Sequence, residues 1–223
     1  MRYFLGCIAT FFIISFPVIS HTKINQVDLF SPRKQTPNMI ISDVISKPEI
    51  FEKSNNLIKK AGSFETAAGE PLYIKGIVSD AFGVPIMGVV IRIWQTNAAG
   101  KYHTLLEEED SEYLDPNFSV SGEAATNNIG QYGFITIFPG FFDNRAPHIN
   151  MIIAHEKFGR VETQVYFEGH IRNKKDPYYL SYTDKEKQMI TADVEYVDQK
   201  YPDLGKIVTF NITLDGVHQY KGF

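Results

Sequence analysis

Cysteine is almost absent from this chain, since Cys7 is the only one among 223 residues. Cys7 lies within the apolar stretch at the start of the chain. If that stretch is removed, the mature chain has no cysteine and forms no disulfide. The protein is therefore compatible with an oxidising compartment without depending on one.

Dense basic runs are missing as well. The 22 Lys and Arg residues are scattered and are outnumbered by 26 Asp and Glu, which gives a net charge of −4. Proteins that bind nucleic acid concentrate positive charge on a patch or stripe. This composition therefore excludes nucleic acid as an expected partner. The hydrophobic content of 43% is sufficient for one globular domain of ordinary size.

Long apolar runs are confined to the start of the chain, where Tyr3–Phe16 follows the single cation Arg2. A short charged region, an apolar region and a small-residue exit at Ser20 are typical of a secretory signal peptide. We predict a signal peptide over residues 1–20 and an exported chain, periplasmic or secreted, that starts near His21. The run is short for a span of ~20 apolar residues. The alternative is an uncleaved leader that anchors the protein in a membrane.

The remaining chain divides into an N-terminal arm, a folded domain and a short tail. Residues 21–62 form the predicted arm, and the part up to Ser46 is polar, lacks periodicity and contains two prolines. Such a composition predicts a loosely ordered segment. A homo-oligomer would order it around a neighbouring subunit. The folded domain is predicted over residues 63–216, and residues 217–223 form the tail.

Strand signals recur at regular spacing within the predicted domain. The segments are Leu72–Val78, Gly88–Gln95, Gln131–Phe138, Ile149–Ala154, Val161–Phe167 and Lys206–Leu214. Apolar and polar residues alternate in the last of them, as in a half-buried strand. Thr183 and Glu186 have the spacing of a capping box and predict one short helix. Many short strands and little helix predict an all-β fold, an antiparallel β-sandwich with short helical insertions.

The segment Pro139–Asn150, with the sequence PGFFDNRAPHIN, has the composition of a pocket lip. It places two aromatic residues, Arg145 and His148 next to a predicted buried strand. Binding and catalytic groups concentrate on loops at the mouth of a rigid scaffold. The alternative is an ordinary loop in which Arg145 pairs with a carboxylate and His148 is a hydrogen-bonded strand residue. The segment by itself leaves both interpretations open.

A second polar segment, Ile93–Tyr102 (IWQTNAAGKY), also ends a predicted strand and places Tyr102 at the same kind of rim. With these segments, the chain resembles the intradiol ring-cleavage dioxygenases, the protocatechuate and catechol dioxygenase family. The supporting stretches are GIVSDAFGVPIMGVVIRIWQTNAAGKYH at 76–103, LDPNF at 114–118, Gly130–Phe138, RAPHI at 145–149 and TQVYFEG at 163–169. They follow the family's order over residues 63–216. The resemblance implies an intradiol dioxygenase-like β-sandwich that acts on a small catechol-type aromatic compound.

The resemblance also implies a catalytic Fe(III) held by two tyrosines and two histidines. Tyr102 matches the first tyrosine and His148 the first histidine, whereas Phe142 and Asn150 stand where the second tyrosine and second histidine are expected. A phenylalanine ring has no lone pair to donate, and a neutral amide is a poorer iron ligand than imidazole. Fe(III) is therefore expected to bind weakly. Asp143 and the side-chain oxygen of Asn150 are the candidate substitute ligands.

Arg145 and Gln164 match the family's arginine and glutamine, which help stabilise charge on the substrate ring. The resemblance thus implies catalytic roles for both and, together with Phe142, roles in binding the substrate. Two hypotheses remain. One is an exported intradiol dioxygenase that inserts both atoms of O2 into a catechol-type ring. The other is a catalytically inactive family member that binds a small aromatic molecule or another protein.

Overall fold

The computed structural model describes residues 31–39, 46–60, 62–103 and 114–218. The predicted signal peptide and most of the predicted C-terminal tail lie outside these residues. Within the described ranges, every helix is too short or too polar to cross a membrane.

Two five-stranded sheets make up the fold. The strands are β1 (Pro71–Ser79), β2 (Val90–Trp94), β3 (Ser121–Ala125), β4 (Gln131–Ile137), β5 (His148–His155), β6 (Gly159–Phe167), β7 (Thr191–Ala192), β8 (Val194–Tyr196), β9 (Lys206–Thr209) and β10 (Ile212–Thr213). Among the residues that the structure describes, the helices are α1 (Pro177–Ser181), α2 (Asp184–Ile190) and the 3₁₀ helices at Ile171–Lys174 and Pro202–Leu204. The first sheet contains β1, β4, β8, β9 and β10, and the second has the order β3-β2-β5-β6-β7. The predicted β-sandwich with short helical insertions is confirmed.

The long strands pair antiparallel, whereas three short strands late in the chain, β7, β9 and β10, pair in parallel with longer strands. Strand β1 pairs antiparallel with β4, and β5 pairs antiparallel with both β2 and β6. Strands β9 and β10 run parallel to β1, and β7 runs parallel to β6. A parallel pair needs a long crossover. The helices between β6 and β7 provide one, so the sheets are mixed at their margins.

Most predicted strands appear within a few residues of their predicted bounds. The predicted strand Lys206–Leu214 is divided into β9 and β10, because the Asn211 side chain accepts the backbone N–H of Ile77 at 3.0 Å where the ladder is interrupted. Strand β3 was not predicted, since its sequence SGEAA is small and polar. The predicted helix is confirmed as α2, with a complete capping box between Thr183 and Glu186.

Side chains on β5 alternate between the two faces of the second sheet, as the period of a strand requires. Ile149, Met151 and Ile153 are buried in the core between the sheets. The intervening residues, His148, Asn150 and Ile152, lie on the opposite face and are buried as well. We call this opposite face the outer face of the second sheet. Most of the predicted site residues lie on this face or beside the start of β5.

The arm is ordered where the structure describes it. Thr36 exchanges hydrogen bonds with Thr213 on β10, at 3.0 and 2.9 Å. The Met39 N–H donates to the carbonyl of Glu162 on β6 at 2.6 Å. Residues 32–39 thus differ from the loose segment that composition predicted. These bonds come largely from the backbone, so apolar periodicity in the sequence gives no sign of them.

Candidate functional site

The side chains of Tyr102 and His148 contact each other on the outer face of the second sheet, although they belong to separate segments of the chain. The Tyr102 hydroxyl lies 3.1 Å from Nε2 of His148, and both residues are 3% exposed. The Phe142 ring meets the Tyr102 ring edge-on, with centroids 5.3 Å apart. The two polar segments of the sequence therefore form one site.

The loops that carry Tyr102 and Phe142 are fastened to each other. The hydroxyl of Thr96 donates to the carbonyl of Gly140 at 2.8 Å, and the N–H of Gly140 donates to the carbonyl of Asn97 at 2.9 Å. Gly100 has a φ of 78°, and a Cβ at this position would overlap the carbonyl of Phe141. Only glycine permits so close an approach of the two backbones.

From Tyr102 a series of hydrogen bonds runs across the outer face. Asn150 Nδ2 donates to the Tyr102 hydroxyl at 3.0 Å, and Gln164 Nε2 donates to Asn150 Oδ1 at 2.8 Å. Arg145 Nη2 donates to Gln164 Oε1 at 2.9 Å. Asn150 and Gln164 are directly paired across β5 and β6. The sheet register therefore holds their amides at bonding distance.

At the other end, Arg145 is anchored by Asp176. The Arg145 Nε atom lies 3.2 and 3.1 Å from the two carboxylate oxygens of Asp176, which is fully buried. The same carboxylate accepts the N–H of Ala146 at 2.8 Å and caps α1 by accepting the amides of Tyr178 and Tyr179. Sequence analysis did not single out Asp176. The signal present was an Asp-Pro pair, which is typical of a helix start.

The tautomer of His148 follows from its second partner. Nδ1 lies 2.7 Å from the carbonyl oxygen of Ala146, which can only accept. In the neutral imidazole Nδ1 therefore carries the hydrogen and Nε2 carries the lone pair. Tyr102 then donates to His148 and accepts from Asn150. Burial raises the pKa of Tyr166, so its protonated hydroxyl donates to Gln164 Oε1 at 2.9 Å.

These bonds close a ring, which we call the polar ring. Its members are Asp176, Arg145, Gln164, Asn150, Tyr102, His148 and the backbone of Ala146. Every member is buried. Both features proposed in the loop interpretation of the PGFFDNRAPHIN segment are present, since Arg145 pairs with a carboxylate and His148 is hydrogen-bonded.

The predicted site residues are brought together, with one exception. Tyr102, Phe142, Arg145, His148, Asn150 and Gln164 all lie in or against the polar ring. Asp143 is exposed, has a φ of 51° and contributes its backbone carbonyl to Arg172 at 3.5 Å. Its role as a substitute ligand stays a prediction, as do the catalytic roles of Arg145 and Gln164.

The donor set does not fit a two-tyrosine, two-histidine ferric site. The oxygen of Asn150 faces Gln164, so the amide group that faces Tyr102 is an NH2, which has no lone pair to offer a metal. Tyr102 and His148 are hydrogen-bonded to each other. In the ranges that the structure describes, no group of three or more His, Cys, Asp or Glu side chains is arranged to hold a metal ion.

Comparison with solved structures places the fold. The chain is similar to the dioxygenase domain of a dioxygenase carbohydrate-binding protein fusion from Streptomyces sp. SirexAA-E, with a TM-score of 0.64 and 22% identity, over 82% of this chain and 100% of that one. It is also similar to 3-chlorocatechol 1,2-dioxygenase from Rhodococcus opacus 1CP, with a TM-score of 0.59 and 22% identity, over 77% of this chain and 69% of that one. The β-sandwich is thus of the intradiol dioxygenase type.

Sequence comparison identifies the family. A family model described as dioxygenase matches residues 50–216, which is most of the chain. The beta chain of protocatechuate 3,4-dioxygenase from Burkholderia cepacia is 34% identical over 146 residues, covering 62% of each chain. Catechol 1,2-dioxygenase from Candida albicans is 22% identical over 235 residues, covering 86% of this chain and 74% of that one. The chain belongs to the intradiol dioxygenase family.

Proposed function

We propose that this protein is an exported, catalytically inactive member of the intradiol dioxygenase family that binds a small catechol-type aromatic molecule. One observation carries the loss of catalysis: the amide oxygen of Asn150 faces Gln164. The Gln164 oxygen accepts from Arg145, which can only donate, so the Gln164 NH2 must face Asn150. The amide of Asn150 is thereby oriented away from any ligand role.

The aromatic ligand is supported by the chemistry of the lip. Phe142 and Tyr102 form an edge-to-face pair, and the adjacent Phe141 is 50% exposed. The guanidinium of Arg172 lies 3.4 Å from the centroid of the Phe141 ring. An exposed aromatic ring beside a cation suits a planar, electron-rich ligand. Ligand-observed NMR with catechol, comparing the parent chain with Phe141→Ala, tests whether the aromatic ligand binds at this segment. Unchanged catechol binding in the variant would show that Phe141 is not part of the binding site.

Metal analysis tests the loss of catalysis. The purified chain should contain far less than one iron per molecule and should remain colourless after addition of Fe(III). The double variant Phe142→Tyr with Asn150→His should bind Fe(III) and show a visible tyrosinate-to-iron absorption. Phe142→Tyr adds one hydroxyl and Asn150→His adds modest volume, so the folding cost should stay within the usual ~0.5–3 kcal/mol of a point change.

A matched control is available one residue away. Phe141→Tyr adds the same hydroxyl to an exposed ring. Combined with Asn150→His, it should give no colour, because the Phe141 ring is exposed and packs against Arg172, whereas the Phe142 ring packs against Tyr102. A parent chain that is already coloured and iron-loaded would overturn the proposed inactivity.

Iron-dependent ring cleavage is the second candidate function. It is favoured by the Tyr102 hydroxyl and His148 Nε2, which remain 3.1 Å apart with Arg145 and Gln164 beside them. In this case the parent chain would consume O2 in the presence of catechol and Fe(III). Activity that disappears in Tyr102→Phe would support the second candidate over the first.

Export is supported by the apolar run and small-residue exit within residues 1–20. N-terminal sequencing of the protein recovered from the exported fraction should begin near His21. A start at Met1 in a membrane fraction would instead support the anchored alternative. The homo-oligomer also stays a prediction, and light scattering of the mature chain measures it directly.

A further inference from the structure

We propose that Asp176 is the positioning residue that sets the direction of every hydrogen bond in the polar ring and thereby holds His148 with its hydrogen on Nδ1. The inference rests on the proposed iron-free site. Asp176 lies outside the predicted site and is far from His148 in sequence. It reaches both ends of the ring because it binds two consecutive residues, Arg145 and Ala146.

The first end is the side chain of Arg145. An ionised carboxylate only accepts, and a guanidinium only donates, so the bond between them has one direction. With Nε held by Asp176, Nη2 is directed at the oxygen of Gln164. Gln164 must then present its NH2 to Asn150, and Asn150 must present its NH2 to Tyr102. The amide orientation is thus set by Arg145, and Asp176 holds Arg145 in the position that sets it.

The second end is the backbone of Ala146. Its N–H donates to Asp176 at 2.8 Å, and its carbonyl accepts from His148 Nδ1 at 2.7 Å. The N–H and the carbonyl lie on the two peptide groups that flank the Ala146 Cα, so holding the N–H restricts the positions open to the carbonyl. The carbonyl keeps the His148 hydrogen on Nδ1, which leaves Nε2 to accept from Tyr102. The hydrogen bonds that start from Arg145 and from Ala146 therefore meet at the Tyr102 hydroxyl, which accepts from Asn150 and donates to His148.

Asp176→Asn is the informative variant because it preserves shape while it replaces one acceptor by a donor and removes the negative charge that pairs with Arg145. In Asp176 one oxygen serves the amides of Tyr178 and Tyr179, and the other serves Ala146. An asparagine oxygen can satisfy only one side, so its NH2 meets N–H donors on the other. If the oxygen stays at the helix cap, Ala146 loses its acceptor. The Ala146 carbonyl is then no longer held against His148.

The measurement is the tautomer of His148, read from ¹⁵N chemical shifts and ring couplings of the full chain after metal analysis. The parent should show the hydrogen on Nδ1. Asp176→Asn should shift the population toward the Nε2–H form, so that the Nδ1–H form is no longer dominant. A role of Asp176 confined to capping α1 would lower the melting temperature without changing the tautomer.

Asp80→Asn is the matched control. Asp80 is also fully buried and accepts backbone amides, from Phe82 and Val84, but it lies at the end of β1 and not in the polar ring. This variant should lose stability and keep the parent tautomer. Unchanged His148 signals in Asp176→Asn would overturn the inference. Should Asp176→Asn fail to fold, Asp176→Ser retains an N-cap and removes the second acceptor.

The parent chain alone can also refute the inference. An iron-free parent with the hydrogen on Nε2 would show that Ala146 and Asp176 do not govern His148, while the proposed loss of iron would stand. Iron found in the parent would instead overturn the proposed function. The two failures are therefore distinguishable in one sample.

Discussion

The two faces of β5 are equally buried but are organised by different forces. Toward the sandwich core, Ile149, Met151 and Ile153 pack among apolar side chains, where burial is favourable whatever the direction of approach. On the outer face, His148 and Asn150 are 3% and 0% exposed, yet each depends on particular partners. An unpartnered polar group there costs free energy comparable to that of a lost hydrogen bond.

The difference shows that the outer face is held together by specific hydrogen bonds among its own side chains, and not by apolar packing. The inner face tolerates a change that preserves volume and apolarity. The polar ring depends instead on the identity of each donor and acceptor, because one reversed amide places two donors against each other. Substitutions on the two faces should therefore differ in kind as well as in size.

The largest expected effect comes from breaking the buried ion pair. Arg145→Ala removes the cation from the fully buried Asp176 and should lower the free energy of unfolding by ~3–5 kcal/mol in urea denaturation. Arg92→Ala is the control, because the pair of Arg92 with Glu123 is partly exposed and contributes ~0–1 kcal/mol. Equal losses of unfolding free energy in the two variants would show that the buried ion pair contributes no more to stability than the partly exposed one.

A substitution on the inner face should lower the free energy of unfolding strongly but leave the polar ring unchanged. Met151→Ala should lower the free energy of unfolding by ~2–5 kcal/mol, since it leaves a cavity between the sheets. The His148 tautomer should be the same as in the parent, because Met151 points away from the polar ring. An altered tautomer in this variant would show that the two faces are coupled through the strand.

A smaller effect is expected from replacing one amide of the ring. Asn150→Leu has a similar volume and removes the partners of Tyr102 and Gln164, which should cost ~1–3 kcal/mol of unfolding free energy. The same change at the exposed Asn144 should stay within ~0.5 kcal/mol. A stabilised Asn150→Leu variant would mean that the ring is replaceable by simple packing.

The smallest effect concerns acid sensitivity away from the ring. Burial alone would raise the pKa of Asp80, but hydrogen bonds from His218, Val84 and Phe82 outweigh it and hold the pKa below its ordinary value of 3.8. A lowered pKa gives stability that is present above about pH 4 and is lost as the pH falls through the folded-state value. Asp80→Asn should therefore flatten the decline of unfolding free energy below about pH 4.

The exposed Asp215→Asn serves as the control for this comparison and should keep the parent's acid profile. The measurement is a series of urea denaturations between about pH 2 and pH 6. An unchanged slope in Asp80→Asn would show that the clasp formed by His218 and Asp80 does not contribute to acid sensitivity.

Much of the fold could be predicted from local pattern. Strands β2, β5 and β6 carry apolar residues at the period of a sheet, and Thr183 marks the start of α2. Strand β3 could not be found this way, because Gly122 and its small neighbours pack under the loop at Ser54 and carry no hydrophobic pattern. Short strands that add to the margin of a sheet are defined by the partner and not by their own sequence.

The site shows the same division. The residues that meet at Tyr102 could be predicted from the resemblance of two sequence segments to the intradiol dioxygenase family. The direction of the hydrogen bonds could not, because it depends on Asp176, a residue in a different segment that reads locally as a helix cap. Whether a loop arginine faces a substrate or a carboxylate is decided by tertiary contacts. No local pattern near Arg145 contains that information.

The genetic code gives the polar ring a further consequence. Phenylalanine and tyrosine codons differ by a single base, and so do those of asparagine and histidine. The tyrosine and histidine that the family pattern implies at Phe142 and Asn150 are thus each one mutational step away. Yet the amide of Asn150 is bonded to both Tyr102 and Gln164, so the histidine step must disrupt the ring before any metal can compensate. A histidine at position 150 is thus one nucleotide change away, but it removes two buried hydrogen bonds of the polar ring.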